Sequence, residues 1–135
     1  MTAVSATYVS GNCPAGLEVG EDFEVERYAG NWYEIAYDTD FYSWTPEFKC
    51  ASTTYNLIEP VRKYGRNWNI IVENRSIDIA SGDIEALDGY SDIDDTGAGY
   101  TRYYWYLKGG YDVVATDYDN WALAFRCEKG MWGTQ

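Results

Sequence analysis

The feature that most constrains this chain is a series of short segments, each alternating apolar and polar residues, broken at close and even intervals by turn residues. From residue 30 onward they fall at roughly 31–40, 50–58, 68–77, 82–92, 99–107, 111–117 and 121–128, the pattern of half-buried strands. Between them stand Glu59-Pro60, Tyr64-Gly65, Ser81-Gly82, Asp94-Asp95-Thr96-Gly97, Gly109-Gly110 and Asp119-Asn120, all of which favour turns. No segment holds a helical period of useful length. The exception is brief: Phe23, Val25 and Tyr28 in the acidic stretch 21–30 predict a helical turn leading into the first strand. Seven short strands without helices predict an all-β, antiparallel sandwich or barrel. The 135 residues suit one domain, read as an irregular arm over 1–20, a barrel over 21–128 and a tail over 129–135.

Composition narrows the function. The chain carries 14 Tyr and 6 Trp, residues that join an apolar body to a polar tip and suit strands that wall a greasy yet hydrogen-bonding space. Ten Lys and Arg against 22 Asp and Glu give a net charge of −12. That sign argues against nucleic acid and disfavours an anionic membrane surface. The absence of histidine removes the commonest general base and metal ligand, so no metal site or cofactor is expected. No apolar run approaches the roughly 20 residues of a membrane span. The opening residues Met1-Thr2-Ala3-Val4-Ser5-Ala6 lack the pattern of a signal peptide, so a leader is expected to have been removed or to lie outside this sequence. The cysteines at 13, 50 and 127 allow one pair and a leftover, or three free thiols.

Two motifs carry a family resemblance. The segment Phe23-Glu24-Val25-Glu26-Arg27-Tyr28-Ala29-Gly30-Asn31-Trp32-Tyr33-Glu34-Ile35-Ala36 resembles the first lipocalin signature, a helical turn followed by Gly-X-Trp on the first strand. The segment from Tyr111 to Cys127, with Thr116-Asp117-Tyr118 at its turn, resembles the second. Their order and spacing are similar to the apolipoprotein D, retinol-binding and crustacyanin-like branch over about 13–127. The resemblance implies an up-and-down antiparallel β-barrel that binds and transports a small hydrophobic ligand such as a carotenoid, retinoid, sterol or fatty acid. About eight strands leave room for one such molecule.

The family register turns Trp32, Tyr55, Val72, Asn74, Leu87, Tyr103, Trp105, Tyr111 and Val113 inward, as the candidate ligand wall. Each could instead simply fill a core, and for Trp32 the core role leads. The resemblance also pairs Cys13 with Cys127, which implies a secreted or other oxidising compartment. It leaves Cys50 without the partner that the family places near the C-terminus. The family continues with an eighth strand, a helix and an arginine signature, none of which these residues contain. Outward Tyr33, Ile35 and Tyr37 on the first strand and Leu123 and Phe125 on the last are therefore expected to form an exposed apolar face, the kind that marks a partner surface. Three sources for the missing cover stay open: further sequence, a partner chain, or the tail Met131-Trp132-Gly133.

Other patterns are weaker. Asn74-Arg75-Ser76 is a glycosylation sequon, but an inward Asn74 reads better as a polar cavity contact. The stretch Asp92–Gly99 lacks the ordered ligands of a calcium loop and reads as a solvated turn. Cys50 has no histidine to activate it as a nucleophile. No catalytic residues are assigned. Two alternatives to a carrier are a structural subunit of a larger assembly and, since some lipocalin relatives are enzymes, catalysis on a lipid or carotenoid through an inward carboxylate such as Glu34.

Overall fold

In a computed structural model the described residues are 12–17, 19–36, 47–104, 108–126, 129–130 and 133–134. One helical turn, α1 (Val25–Tyr28), precedes seven strands: β1 (Gly30–Tyr33), β2 (Phe48–Lys63), β3 (Arg66–Asp78), β4 (Ile84–Ile93), β5 (Ala98–Arg102), β6 (Lys108–Thr116) and β7 (Ala122–Phe125). They form one antiparallel meander in the order β1-β2-β3-β4-β5-β6-β7, an all-β half-barrel. Among the described residues β1 and β7 do not pair with each other. The sheet curls so far that Tyr55 on β2 meets Tyr111 on β6 across three intervening strands.

Local chemistry fixes the turns. Lys63 pairs with Arg66, and the two residues between them, Tyr64 (φ 55°) and Gly65 (φ 78°), both take left-handed backbone, as a two-residue hairpin requires. At the β6–β7 turn one carboxylate replaces the ladder: Asp117 Oδ1 accepts the N–H groups of Asp119, Asn120 and Trp121. The N-terminal segment is stitched on by backbone. Val19 donates to Val113, Gly20 to Thr96 and Phe23 to Asp95, which seats α1 against one end of the sheet.

Three boundaries differ from expectation. Glu59-Pro60 is no turn: β2 runs through it, and the ladder skips from Leu57 to Val61. Such a bulge is where a strand tolerates a proline with no N–H to give. Gly109-Gly110 is no turn either, since the two residues pair with Thr101 and Tyr100 inside β6. The bend falls earlier, and β5 ends at Arg102 rather than near 107. The described part of the first strand ends at Tyr33, short of the expected 40, and residues 37–40 lie outside the described residues.

The core is Phe23, Tyr28, Tyr55, Ile70, Val72, Ile93 and Val113, with Val25, Trp32, Tyr103, Tyr111, Tyr118 and Ala122 packed against it. β4 and β5 meet through a buried hydroxyl pair, Ser91 with Thr101 at 3.1 Å. In the tail Lys129–Gly130 and Gly133–Thr134 pair only with each other, so these residues add no strand to the seven and do not complete the sheet.

Candidate functional site

The concave face of the sheet carries the candidate site. Strand alternation and register stack its residues in rows. One row runs Gly30, Tyr55, Val72, Gly89; the next runs Trp32, Thr53, Asn74, Leu87. The two rows divide the wall into a packed base and a more open upper part.

The base is aromatic. Tyr55 donates a 2.6 Å hydrogen bond to the Tyr111 hydroxyl, which shares a 2.7 Å bond with the Tyr28 hydroxyl. Trp32 stacks on Tyr28 at 5.3 Å between ring centroids, and its Nε1 donates to the Tyr28 carbonyl at 2.8 Å. Burial pushes the phenols of Tyr55 and Tyr111 well above their ordinary value, and that of Tyr28 above it. All three are therefore neutral near pH 7. Two bonds among three hydroxyls use two protons, so one O–H is left to donate to a further acceptor.

The upper wall is half-buried and polar at defined points. Asn74 Oδ1 accepts from Thr53 Oγ1 at 2.7 Å, and Asn74 Nδ2 donates to the Leu87 carbonyl at 3.0 Å. Burial raises the Tyr103 phenol above its ordinary value. The Tyr103 ring lies over Gly89: a Cβ built there would stand 2.6 Å from Tyr103 Cδ1 and 2.5 Å from the Arg102 carbonyl oxygen. Glycine at 89 is thus the condition for the ring to lie against the wall.

Of the expected wall, Tyr55, Val72 and Val113 lie in the buried core, and Trp32, Tyr103 and Tyr111 pack against it. Asn74 and Leu87 are half-buried neighbours on the upper row, and Trp105 lies outside the described residues. Sequence reasoning missed Tyr28 and Thr53. Tyr28 stood in the quoted helical-turn motif, and a buried phenol needs a partner. Two inward tyrosines were the signal that could have found it. Glu34, the carboxylate of the catalytic alternative, follows β1 with its backbone N–H on the Ala51 carbonyl, and partial burial raises its carboxyl above the ordinary value. Among the described residues no group of three or more His, Cys, Asp or Glu gathers to hold a metal. None of their helices is long and apolar enough to cross a membrane.

On the convex face Tyr33 (72%), Ile35 (81%) and Leu123 (57%) are largely exposed, Phe125 is half-buried, and Tyr37 lies outside the described residues. Cys13 is disulfide-bonded, Cys50 is free and exposed, and Cys127 lies outside the described residues. A cavity of 340 Å³ is lined by Pro60, Arg66, Trp68, Asp92, Ile93 and Ala98 among others. None of the expected ligand residues lines it.

The chain is similar to apolipoprotein D of Bos taurus, 29% identical over 126 residues that make up 90% of this chain and 60% of that protein. It is also similar to the rabbit protein (Oryctolagus cuniculus), 30% identical over 90% of this chain and 60% of the relative. For the Mus musculus protein the identity is 27% over 97% of this chain and 65% of the relative. The chain spans about three fifths of the length of these relatives. No family model matches it.

Proposed function

We propose that this chain, a member of the lipocalin family, is a carrier that holds a small hydrophobic ligand on the concave face of its sheet. The observation that carries the reading is the wall itself. Val72, Val113, Tyr55 and Tyr111 form an apolar, aromatic base, and above it Leu87 and Tyr103 flank the polar point Asn74. Apolar walls with a few placed polar groups are the usual make-up of a small-molecule site. A carotenoid, retinoid, sterol or fatty acid fits that chemistry, with a carbonyl, hydroxyl or carboxylate end meeting Asn74 or the spare O–H of the tyrosine base. Burial of apolar surface supplies most of the affinity, at about 25 cal/mol per Å². The role is binding rather than catalysis.

The same reading places the protein in a secreted or lumenal setting. It pairs Cys13, which is disulfide-bonded, with Cys127 as the family resemblance implies, and leaves Cys50 free. A Cys13–Cys127 bond ties the arm to the end of β7 and belongs in an oxidising compartment.

Native purification followed by mass spectrometry of extracted small molecules tests the proposal, with tryptophan-quenching titrations against retinol, a sterol and a fatty acid. A chain that is repeatedly empty and saturates with none of the three refutes it. A second reading, a structural subunit, is favoured by the tyrosine-filled base together with exposed Tyr33, Ile35 and Leu123. It predicts no ligand uptake and burial of that convex face in a larger assembly.

A further inference from the structure

Four of the ten basic residues of this acidic chain, Arg62, Lys63, Arg66 and Arg102, collect at one place. The tip of the β2–β3 hairpin brings the first three within five residues, and β5 brings Arg102. Aromatic rings hold three of them. The Arg102 guanidinium lies 4.3 Å from the Tyr64 ring centroid. Lys63 Nζ lies 5.2 Å from Tyr64 and 4.7 Å from Tyr90, and donates to the Tyr90 hydroxyl at 3.1 Å. Arg66 lies 4.7 Å from Tyr100 and 6.0 Å from Trp68. The rings adjoin in turn, Tyr64 to Tyr90 at 6.5 Å, Tyr90 to Trp68 at 6.1 Å and Trp68 to Tyr100 at 6.3 Å. Three cations and four rings thus make one continuous ladder over buried Trp68.

Of the four cations, only Arg66 has a carboxylate, Asp92, at 2.6 Å. Arg62, Lys63 and Arg102 make no ion pair among the described residues. That difference decides what the cluster can do. A carboxylate neutralises a cation, whereas a ring face attracts it and leaves its charge intact. The ladder therefore fixes Lys63 and Arg102 without neutralising them.

The geometry points to an anion-docking finger: the tip of the β2–β3 hairpin, with Arg102 beside it, seats on a membrane surface that bears anionic phospholipid headgroups. The tip is a convex two-residue turn, and a flat partner needs no matching hollow. Tyr64 is exposed at its apex, and an amphipathic ring suits the depth of the headgroups. Leu57 and Val61, both exposed, continue apolar surface along the same hairpin. Nucleic acid fits less well, because cations already occupy ring faces that bases would stack on. The net charge of −12 repels an anionic surface as a whole, but charges farther off than about 8 Å are largely screened at physiological salt. The acidic remainder then orients the chain so that only the finger makes contact.

Vesicle flotation with the full chain tests this. Binding is expected to vesicles of phosphatidylcholine with about 30% phosphatidylserine and not to phosphatidylcholine alone, and it should fall with added salt. Removing two cations in a Lys63→Gln, Arg102→Gln variant should weaken it by about fivefold for each cation, with an unchanged circular-dichroism spectrum. Arg62→Gln, which breaks no ring contact or ion pair of the cluster, should show the same loss for one cation. Equal binding to both vesicles, binding to neither, or variants that bind like the parent would overturn the proposal. Retention on heparin or on an acidic polypeptide without vesicle binding would assign the finger to another polyanion and overturn it too.

Discussion

Tyr55 and Tyr111 stand on strands with three others between them, yet their hydroxyls meet at 2.6 Å. This bond measures the curl of the sheet at its base, and the Tyr28 hydroxyl at 2.7 Å from Tyr111 locks α1 onto the same point. Tyr111 is the shared member. Tyr111→Phe strands two buried hydroxyls and should cost roughly 1–3 kcal/mol, whereas Tyr55→Phe removes one bond and should cost about 1 kcal/mol. Urea unfolding of the two variants and the double variant checks the order. Equal and additive losses would contradict a shared hub.

The same phenols set an alkaline limit. Their folded-state pKa values lie above the unfolded value of about 10, so the unfolded chain releases these protons first as pH rises. Stability should be intact below that pH and fall above it. The tyrosinate absorbance of the buried phenols should rise together with loss of the circular-dichroism signal rather than before it.

Asp117 sets the opposite limit. Its bonds to Asn120, Trp121 and Asp119 lower its carboxyl to about 2. A depressed carboxylate contributes stability above its unfolded value of about 3.9 and loses it as pH falls toward 2. Asp117→Asn should therefore melt below the parent at neutral pH, and the gap should close across that acid window.

Gly89→Ala should be more damaging than its size implies. The added carbon would meet a backbone oxygen and the Tyr103 ring, an overpacking cost of about 1–3 kcal/mol. Gly82→Ala, with open space but φ of 78°, should cost only about 1 kcal/mol of backbone strain. Thermal melts of both variants settle the comparison.

If the upper wall receives a ligand, Tyr103→Ala should weaken it about tenfold, the loss of some 60 Å² of burial at about 25 cal/mol per Å². Tyr33→Ala on the convex face should leave affinity unchanged. Fluorescence titration with the ligand recovered from native protein reads both.

Strand order was legible because alternation and turn chemistry act over neighbouring residues. Tyr64-Gly65 is such a case, since its left-handed pair is local. Glu59-Pro60 and Gly109-Gly110 misled for a tertiary reason. The same residues that make a turn also make a bulge, or lie flat in a ladder, when a long neighbouring strand holds them. The tyrosine hub was legible in two of its members. Tyr28 was not, because its partner comes from the curl of the sheet rather than from spacing. The cation–aromatic ladder joins residues from four strands and the hairpin turn, and net charge alone pointed away from it.

β1 reaches β2 only as far as the Gly30–Tyr55 pair, so beyond Tyr55 that side of β2 has no strand beside it among the described residues. An open strand edge is a template on which another copy can grow cross-β structure. Pro60 and the skipped register around it interrupt the row of N–H donors midway along that edge. A kink that reads as an irregularity of one hairpin thus acts as a guard against aggregation, and replacing Pro60 would restore the template.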